Sequence, residues 1–192
     1  PARANTQKGR KGVTKGDLVA LGQVCDMALN DKTLFVANDG GLLTYNDISC
    51  ASDPKNCEAK WDETLYGDVL NDVEVAKQQD GSTVVYVAGG KGVFKSTNNG
   101  ESWEDMNAGS IGVVNSLTVG SDGKVTAGSD SGVFSYNGTT WDTVGLASET
   151  VHSVAVDGSG TVYAGTPNGL KIKRSGDAEF KTIPVGGEGV PV

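Results

Sequence analysis

The chain is poor in the residues that metal chemistry and acid–base catalysis draw on. It holds one histidine, His152, which excludes a multi-histidine metal site and any pair of histidine acid–base groups. Arginine is confined to Arg3, Arg10 and Arg174. Five prolines and few aromatics stand against 28 glycines, a balance that points to many short strands joined by turns rather than to helices. No stretch approaches about 18 uninterrupted apolar residues, so no membrane-spanning helix is expected. No secretory leader is present, and the first residue is Pro1 rather than methionine. That pattern reads as a processed chain or a piece of a longer one.

Charge is also unevenly spread. The net charge is -8, yet residues 1–16 carry Arg3, Lys8, Arg10, Lys11 and Lys15 with no acid among them. Removing these five leaves 11 basic against 24 acidic residues, so the remainder lies near -13. An acidic body argues against nucleic acid as a partner, because phosphate neutralisation needs a basic face. The basic tail reads as a solvated linker, with an arm that docks on an acidic partner as the alternative.

Against these shortages stands repetition. A glycine followed by two strand-forming residues recurs at Gly41-Leu42-Leu43, Gly92-Val93-Phe94, Gly132-Val133-Phe134 and Gly169-Leu170-Lys171. Each follows a strand ending in alanine (Ala37, Ala88, Ala127, Ala164) and precedes an aromatic (Trp61, Trp103, Trp141, Phe180). The glycines lie 51, 40 and 37 residues apart, and most of the first excess is an insertion holding Cys50 and Cys57. Upstream of each glycine a further strand aligns without gaps: Val24–Leu29, Leu70–Val75, Val114–Val119 and Val151–Val156. Because side chains alternate across a strand, Met27/Leu29, Val73/Val75, Leu117/Val119 and Val154/Val156 are expected on one buried face. Turn residues follow, among them Asp80-Gly81 and Asp157-Gly158, a hairpin signal between alternating runs.

Four short antiparallel strands per unit of about 40 residues describe one blade of a β-propeller. The expected architecture is all-β: a basic tail over 1–16, then about four four-stranded blades over 17–192. The blades fall near 22–66, 67–108, 109–144 and 145–185, with 186–192 leading into a further strand. Asp17–Leu21 reads as the outer strand of a preceding blade. Four blades can close a ring, but the ragged ends favour part of a larger propeller, or a subunit completed by a neighbouring chain.

Ser96-Thr97-Asn98-Asn99-Gly100-Glu101-Ser102-Trp103 resembles the Asp-box of BNR-type repeats, Ser-x-Asp-x-Gly-x-Thr-Trp, with Asn98 in place of the aspartate and Ser102 in place of the threonine. The turn chemistry makes the same demand: a short polar side chain caps the turn, Gly100 accepts positive φ, and the indole packs beneath the hairpin. Val151–Leu170 and Gly132–Trp141 also resemble the ligand-binding sensor propellers of bacterial signalling proteins. Asp-box propellers include sialidases, xyloglucan-cleaving hydrolases, sortilin-type receptors and photosystem assembly factors. In these the box is structural, so the resemblance implies that Ser96, Asn98, Gly100 and Trp103 are scaffold.

Candidate sites are few. A sialidase would need three arginines on separate blades to clamp a carboxylate; with two of its three in the tail, this chain excludes that activity on its own. Asp26 and Asp72 share one repeat position with Ser116 and Ser153. They are candidates to line a central channel, to face each other as a glycosidase pair, or to bind a cation through oxygen. The plainer reading is that they bond to neighbouring strand ends. Cys25, Asn71, Asn115 and His152 share the preceding position and are expected to ring one mouth of the channel, which makes Asn71, Asn115 and His152 ligand-binding candidates. His152 also reads as an ordinary polar strand residue. No Gly-x-Ser-x-Gly elbow occurs, and Gly89-Gly90-Lys91-Gly92 lies between strands, where no helix N-terminus stands behind it to hold phosphate.

Cys50 and Cys57 are expected to form a local disulfide, and Cys25 to be a buried thiol. Disulfide use points to an extracellular or periplasmic location. Asn137-Gly138-Thr139 is a glycosylation sequon, although Asn-Gly also suits a tight hairpin turn. No cofactor is implied. The function expected is a non-enzymatic binding or assembly module whose partner is a protein, another copy, or a glycan. The alternatives are a fragment of a carbohydrate-active propeller enzyme, with Asp72 or Glu74 as its acids, and a ligand-sensing propeller of a signalling protein. The tail and the Cys50–Cys57 insertion are the nominated contact elements.

Overall fold

A computed structural model describes residues 22–49, 59–62, 64–78, 80–106 and 108–184. The basic tail, Asp17–Leu21, the Cys50–Cys57 pair and 186–192 therefore lie outside the described residues. The rest forms four four-stranded antiparallel sheets, each a meander taken in chain order. The first blade holds β1 (Val24–Asn30), β2 (Thr33–Asn38), β3 (Gly41–Tyr45) and β4 (Ala59–Trp61). The second holds β5 (Leu70–Lys77), β6 (Thr83–Gly89), β7 (Gly92–Ser96) and β8 (Glu104–Asp105). The third holds β9 (Val114–Val119), β10 (Val125–Ser129), β11 (Gly132–Tyr136) and β12 (Trp141–Gly145). The fourth holds β13 (Ser153–Val156), β14 (Val162–Thr166), β15 (Gly169–Lys173) and β16 (Lys181–Ile183). One 3-10 turn, Ala108–Ile111, links the second blade to the third. These are blades of a β-propeller.

Each repeat glycine opens the third strand of its blade at positive φ: Gly41 127°, Gly92 122°, Gly132 131° and Gly169 101°. A side chain there would strain the backbone, which is why the Gly-x-x signal recurs.

The blades are joined face to face. The inner strands pack in sequence, β1 on β5, β5 on β9 and β9 on β13. Between the first and second blades, Phe35, Ala37 and Leu42 meet Leu70, Val73, Val85 and Val87. Between the second and third, Tyr86, Ala88 and Val93 meet Val114, Leu117, Val125 and Ala127. Between the third and fourth, Val133 meets Val151, Val154 and Ala164. The second, third and fourth blades each bring an aromatic at or just before the fourth strand onto the preceding blade. The Trp103 indole N–H donates to Asp62 Oδ2 at 2.7 Å, and the Trp141 indole N–H to Met106 O at 2.9 Å. Phe180 lies against Gly145, where a Cβ would come within 2.8 Å of its ring.

The expected common buried face holds at its first residue in three blades, where Val75, Val119 and Val156 are half-buried, and fails in the first blade. Val73, Leu117 and Val154 are 2%, 5% and 8% exposed, whereas Met27 and Leu29 are 60% and 51% exposed. The reason is positional. In the later blades this face is covered by the preceding blade, and no described blade precedes the first. Val36 and Leu43 on the same face are nonetheless buried, in a small cluster with Leu34 and Tyr45 of their own sheet.

Cys25 is a second correction. Its thiol is exposed rather than buried. The register of β1 on β2 skips from Val24↔Asn38 to Asp26↔Ala37, so Cys25 is the extra residue of a β-bulge and leaves the alternation that would have buried it.

Candidate functional site

The same bulge recurs at the start of the next two inner strands and gives the candidate site its geometry. Leu70 pairs with Gly89 and Asp72 with Ala88, leaving Asn71 as the extra residue. Val114 pairs with Ser129 and Ser116 with Gly128, leaving Asn115. A bulge re-aims its side chain, and here it aims sideways at the next blade. Asn71 Nδ2 donates to Val114 O at 2.9 Å, and Asn115 Nδ2 to Val151 O at 3.1 Å. Asn115 Nδ2 also donates to Asp130 Oδ1 at 2.9 Å.

The following residue makes the reciprocal contact. Asp26 Oδ2 accepts from the Val73 amide at 3.0 Å, Asp72 Oδ2 from the Leu117 amide at 2.9 Å, and Ser116 Oγ from the Val154 amide at 3.3 Å. The two adjacent positions thus form a two-point latch across the second and third boundaries, a side-chain donor to a carbonyl and a side-chain acceptor to an amide three residues apart on the receiving strand, while the first boundary keeps the acceptor alone. Cys25 departs from the pattern, since its Sγ donates to Gln23 O at 3.6 Å.

Electrostatics concentrate along the first two boundaries. Burial pushes the Asp72 carboxyl up from 3.8 to about 7, with the Leu117 amide and the Ser116 hydroxyl opposing and the neighbouring Asp26 and Glu74 charges adding. Glu74 is raised as well, by burial and then by Asp26. The Cys25 thiol is raised by partial burial and by Asp39 and Asp26, which disfavours its thiolate. Among the described residues, no three His, Cys, Asp or Glu side chains converge in a way that would hold a metal ion. The other two residues of the candidate set, His152 and Ser153, stand exposed on the last described blade.

Ser96, Asn98, Gly100 and Trp103 form one compact turn. Ser96 Oγ accepts from the Gly100 amide at 2.9 Å and donates to Asn98 Oδ1 at 2.8 Å; Asn98 Oδ1 also accepts from the Ser102 amide at 3.0 Å. Gly100 has φ 82°, and a Cβ on it would come within 2.9 Å of Phe35 in the first blade. Asn99 ties the turn across the boundary, through Nδ2 to Thr33 Oγ1 and through Oδ1 from Asn30 Nδ2, both at 2.9 Å.

Asn137 is exposed, but its amide is engaged in its own turn. Nδ2 donates to Thr140 Oγ1 and Asp142 Oδ2, both at 3.0 Å, and Oδ1 accepts from the Thr139 and Thr140 amides. Sugar attached there would displace one of the two donated bonds.

One feature escaped sequence reasoning. An open cavity of about 270 Å³ lies between the third and fourth blades, lined by Lys124, Lys173 and Arg174 together with Asp122 and Asp177. Both carboxylates serve their own turns: Asp122 accepts from the Lys124 amide, and Asp177 from the Arg174 amide and Lys181 Nζ. Lys173 Nζ donates to Val144 O at 2.7 Å and so bridges the two blades. No sequence motif marks this groove, because its walls come from separate hairpins.

No family profile and no curated protein sequence matches the chain. Solved structures do. An ancestral GH74 enzyme aligns with TM-score 0.64 at 17% identity, over 84% of this chain and 25% of that one. The extracellular domain of the putative hybrid two component system BT4673 from B. thetaiotaomicron aligns with TM-score 0.62 at 21% identity, over 85% and 22%. A structure of YCF48 bound to D1 peptide aligns with TM-score 0.56 at 13% identity, over 83% and 52%. The chain thus spans about a quarter of the first two and about half of the third, and the likeness establishes the propeller fold.

Proposed function

We propose that the chain is a non-catalytic, extracytoplasmic propeller module that works by binding and assembly. The observation that carries this reading is the latch. Asn71, Asn115, Asp26, Asp72 and Ser116, the polar side chains best placed to serve a channel site, are all committed to joining one blade to the next. What remains for recognition is surface: the exposed face of the first blade and the cationic groove between the third and fourth. The partner classes that suit these surfaces are a protein and a glycan. An extracytoplasmic setting agrees with the extracellular sensor domain that shares the fold. No helix among the described residues is long and apolar enough to cross a membrane.

The test is a binding screen of the chain against glycans and peptides alongside a turnover screen on polysaccharides. Saturable binding without turnover supports the module. Turnover that is lost in Asp72→Ala or Glu74→Ala, with the fold intact, supports the enzyme reading instead. One specific observation favours that second reading: the Asp72 carboxyl, raised to about 7, suits proton donation near neutrality, and Glu74, two residues on, is raised as well. Deleting residues 1–16 tests the basic arm, and unchanged binding would remove it from the contact surface.

A further inference from the structure

The blade boundaries reuse the same strand positions, and the third boundary fills them differently. In the second blade Tyr86 pairs with Glu74, one residue past Val73; in the third, Thr126 pairs with Thr118, one residue past Leu117. Thr126 therefore stands where the second blade has Tyr86. The first blade has Phe35 there, opposite Ala28. Phe35 and Tyr86 are both buried against the blade that follows them. Two neighbouring positions change together with this one. Ala76 and Val84, paired and buried at the second boundary, correspond to Gly120 and Lys124 at the third. Gly120, Lys124 and Thr126 all line the groove of about 270 Å³ between the third and fourth blades. The groove is thus the space that an aromatic ring and its apolar neighbours fill one boundary earlier.

Its lining is that of a binding site. The walls stay apolar, with Val144 from the third blade facing Val156 and Val162 from the fourth. Lys173 ties the two walls together through Nζ to Val144 O. On the floor, Thr126 is 5% exposed, and its hydroxyl makes no hydrogen bond among the described residues. Buried hydroxyls ordinarily have a partner. Ser135 beside it does, donating to Val125 O at 3.2 Å. At the rim, Asp122 and Asp177 are committed to their own turns. The side chains of Lys124 and Arg174 form no hydrogen bond and no ion pair among the described residues.

We propose that this groove binds a small phenolic carboxylate. The ring lies between Val144 and the Val156 and Val162 side chains, where the repeat elsewhere places its own aromatic. The phenolic hydroxyl donates to Thr126 Oγ1, and the carboxylate accepts from Lys124 and Arg174. Other anions suit the lining less. Free phosphate leaves the valines uncovered, and a sugar acid brings ring hydroxyls that lose water against valine with a single unpaired hydroxyl to replace it. The proposal adds a small-molecule ligand to the binding reading above and rests on that reading for a groove that serves recognition.

The experiment is calorimetric titration of the full chain with para-hydroxyphenylacetate, with para-cresol as the neutral analogue and glucuronate as the sugar acid. The expected result is saturable binding of para-hydroxyphenylacetate with a dissociation constant on the order of 0.1 mM, and binding of the other two weaker by about tenfold or more. Arg174→Gln, at an exposed position, should weaken the carboxylate by about tenfold and leave para-cresol unchanged. Thr126→Tyr should abolish binding, with a urea midpoint at or above that of the parent, because it restores the residue type of the second boundary. Thr126→Val keeps the shape of the floor and should weaken binding by about tenfold through loss of the hydroxyl. No saturable binding of para-hydroxyphenylacetate at about a hundredfold above the expected constant overturns the proposal. So does glucuronate binding as tightly, or an affinity unchanged in all three variants. A chain that fails here and still binds a glycan or peptide loses this inference alone, so the two failures are distinguishable.

Discussion

Replacing Asp72 by asparagine should stabilise the protein more at alkaline pH than in mild acid. Asp72 is half-buried between the second and third blades, with its Oδ2 accepting from the Leu117 amide at 2.9 Å. Burial lifts its carboxyl from 3.8 to about 7 in the folded protein. In the unfolded chain it ionises at the ordinary value, so between these two values the folded state holds more protons than the unfolded state. Stability therefore falls as pH rises through that window, and the loss is complete above the folded value. The interval, at roughly 1.4 kcal/mol per pH unit, amounts to about 4 kcal/mol. Residual contact with solvent at the channel reduces this, and we expect about 2 kcal/mol to be realised. Asparagine keeps an acceptor for the Leu117 amide and carries no charge, so it retains the latch and removes the ionisation cost. Urea unfolding of both proteins at about pH 5 and about pH 8 measures the difference directly. Curves that run parallel across that range would refute the reasoning, because they would mean that the carboxylate is as well solvated folded as unfolded.

The latch itself predicts that Asn115→Ala costs about 1–2 kcal/mol in urea unfolding, since it strands the buried end of the Val151 carbonyl. Trp103→Phe should cost a similar ~1–2 kcal/mol through loss of the charge-assisted bond to Asp62, with the ring packing retained. Gly100→Ala should lower the unfolding midpoint by more than a simple glycine substitution does, about 2 kcal/mol in free energy, because φ 82° and the 2.9 Å approach to Phe35 act together.

Much of the fold was legible because the repeat is written in residues with narrow physical roles. A glycine needed at positive φ, an alanine where two sheets approach closely, and an aromatic that docks on the previous blade cannot be exchanged freely, so the register of four blades shows in the chain. The exposure of Met27 and Leu29 was not legible. Their alternation is that of any buried strand face, and whether a blade covers it is a matter of neighbours. Cys25 was misread for a related reason. Apolar residues surround it in sequence, but a bulge is a property of how β1 registers on β2, and nothing in a single strand announces the skipped residue.

The candidate site shows why composition alone could not separate ligand from latch. A ring of Asn, Asn and His at the mouth of a channel, next to Asp, Asp, Ser and Ser, has the donor and acceptor content of a sugar- or cation-binding site. The same content is required if each blade must reach the next through one donor and one acceptor. Geometry separates the two readings, because Asn71 and Asn115 lie in bulges that turn them along the ring rather than into it. The repeat position also tolerates Asp, Ser and Asn-to-His exchange because the receiving groups are backbone, and backbone amides and carbonyls accept any partner of suitable reach. It follows that the position becomes available for recognition only where the next blade is missing. Among the described residues His152 and Ser153 reach no receiving blade, so substituting them should cost less stability than substituting Asn115, whose amide bridges to Val151 O.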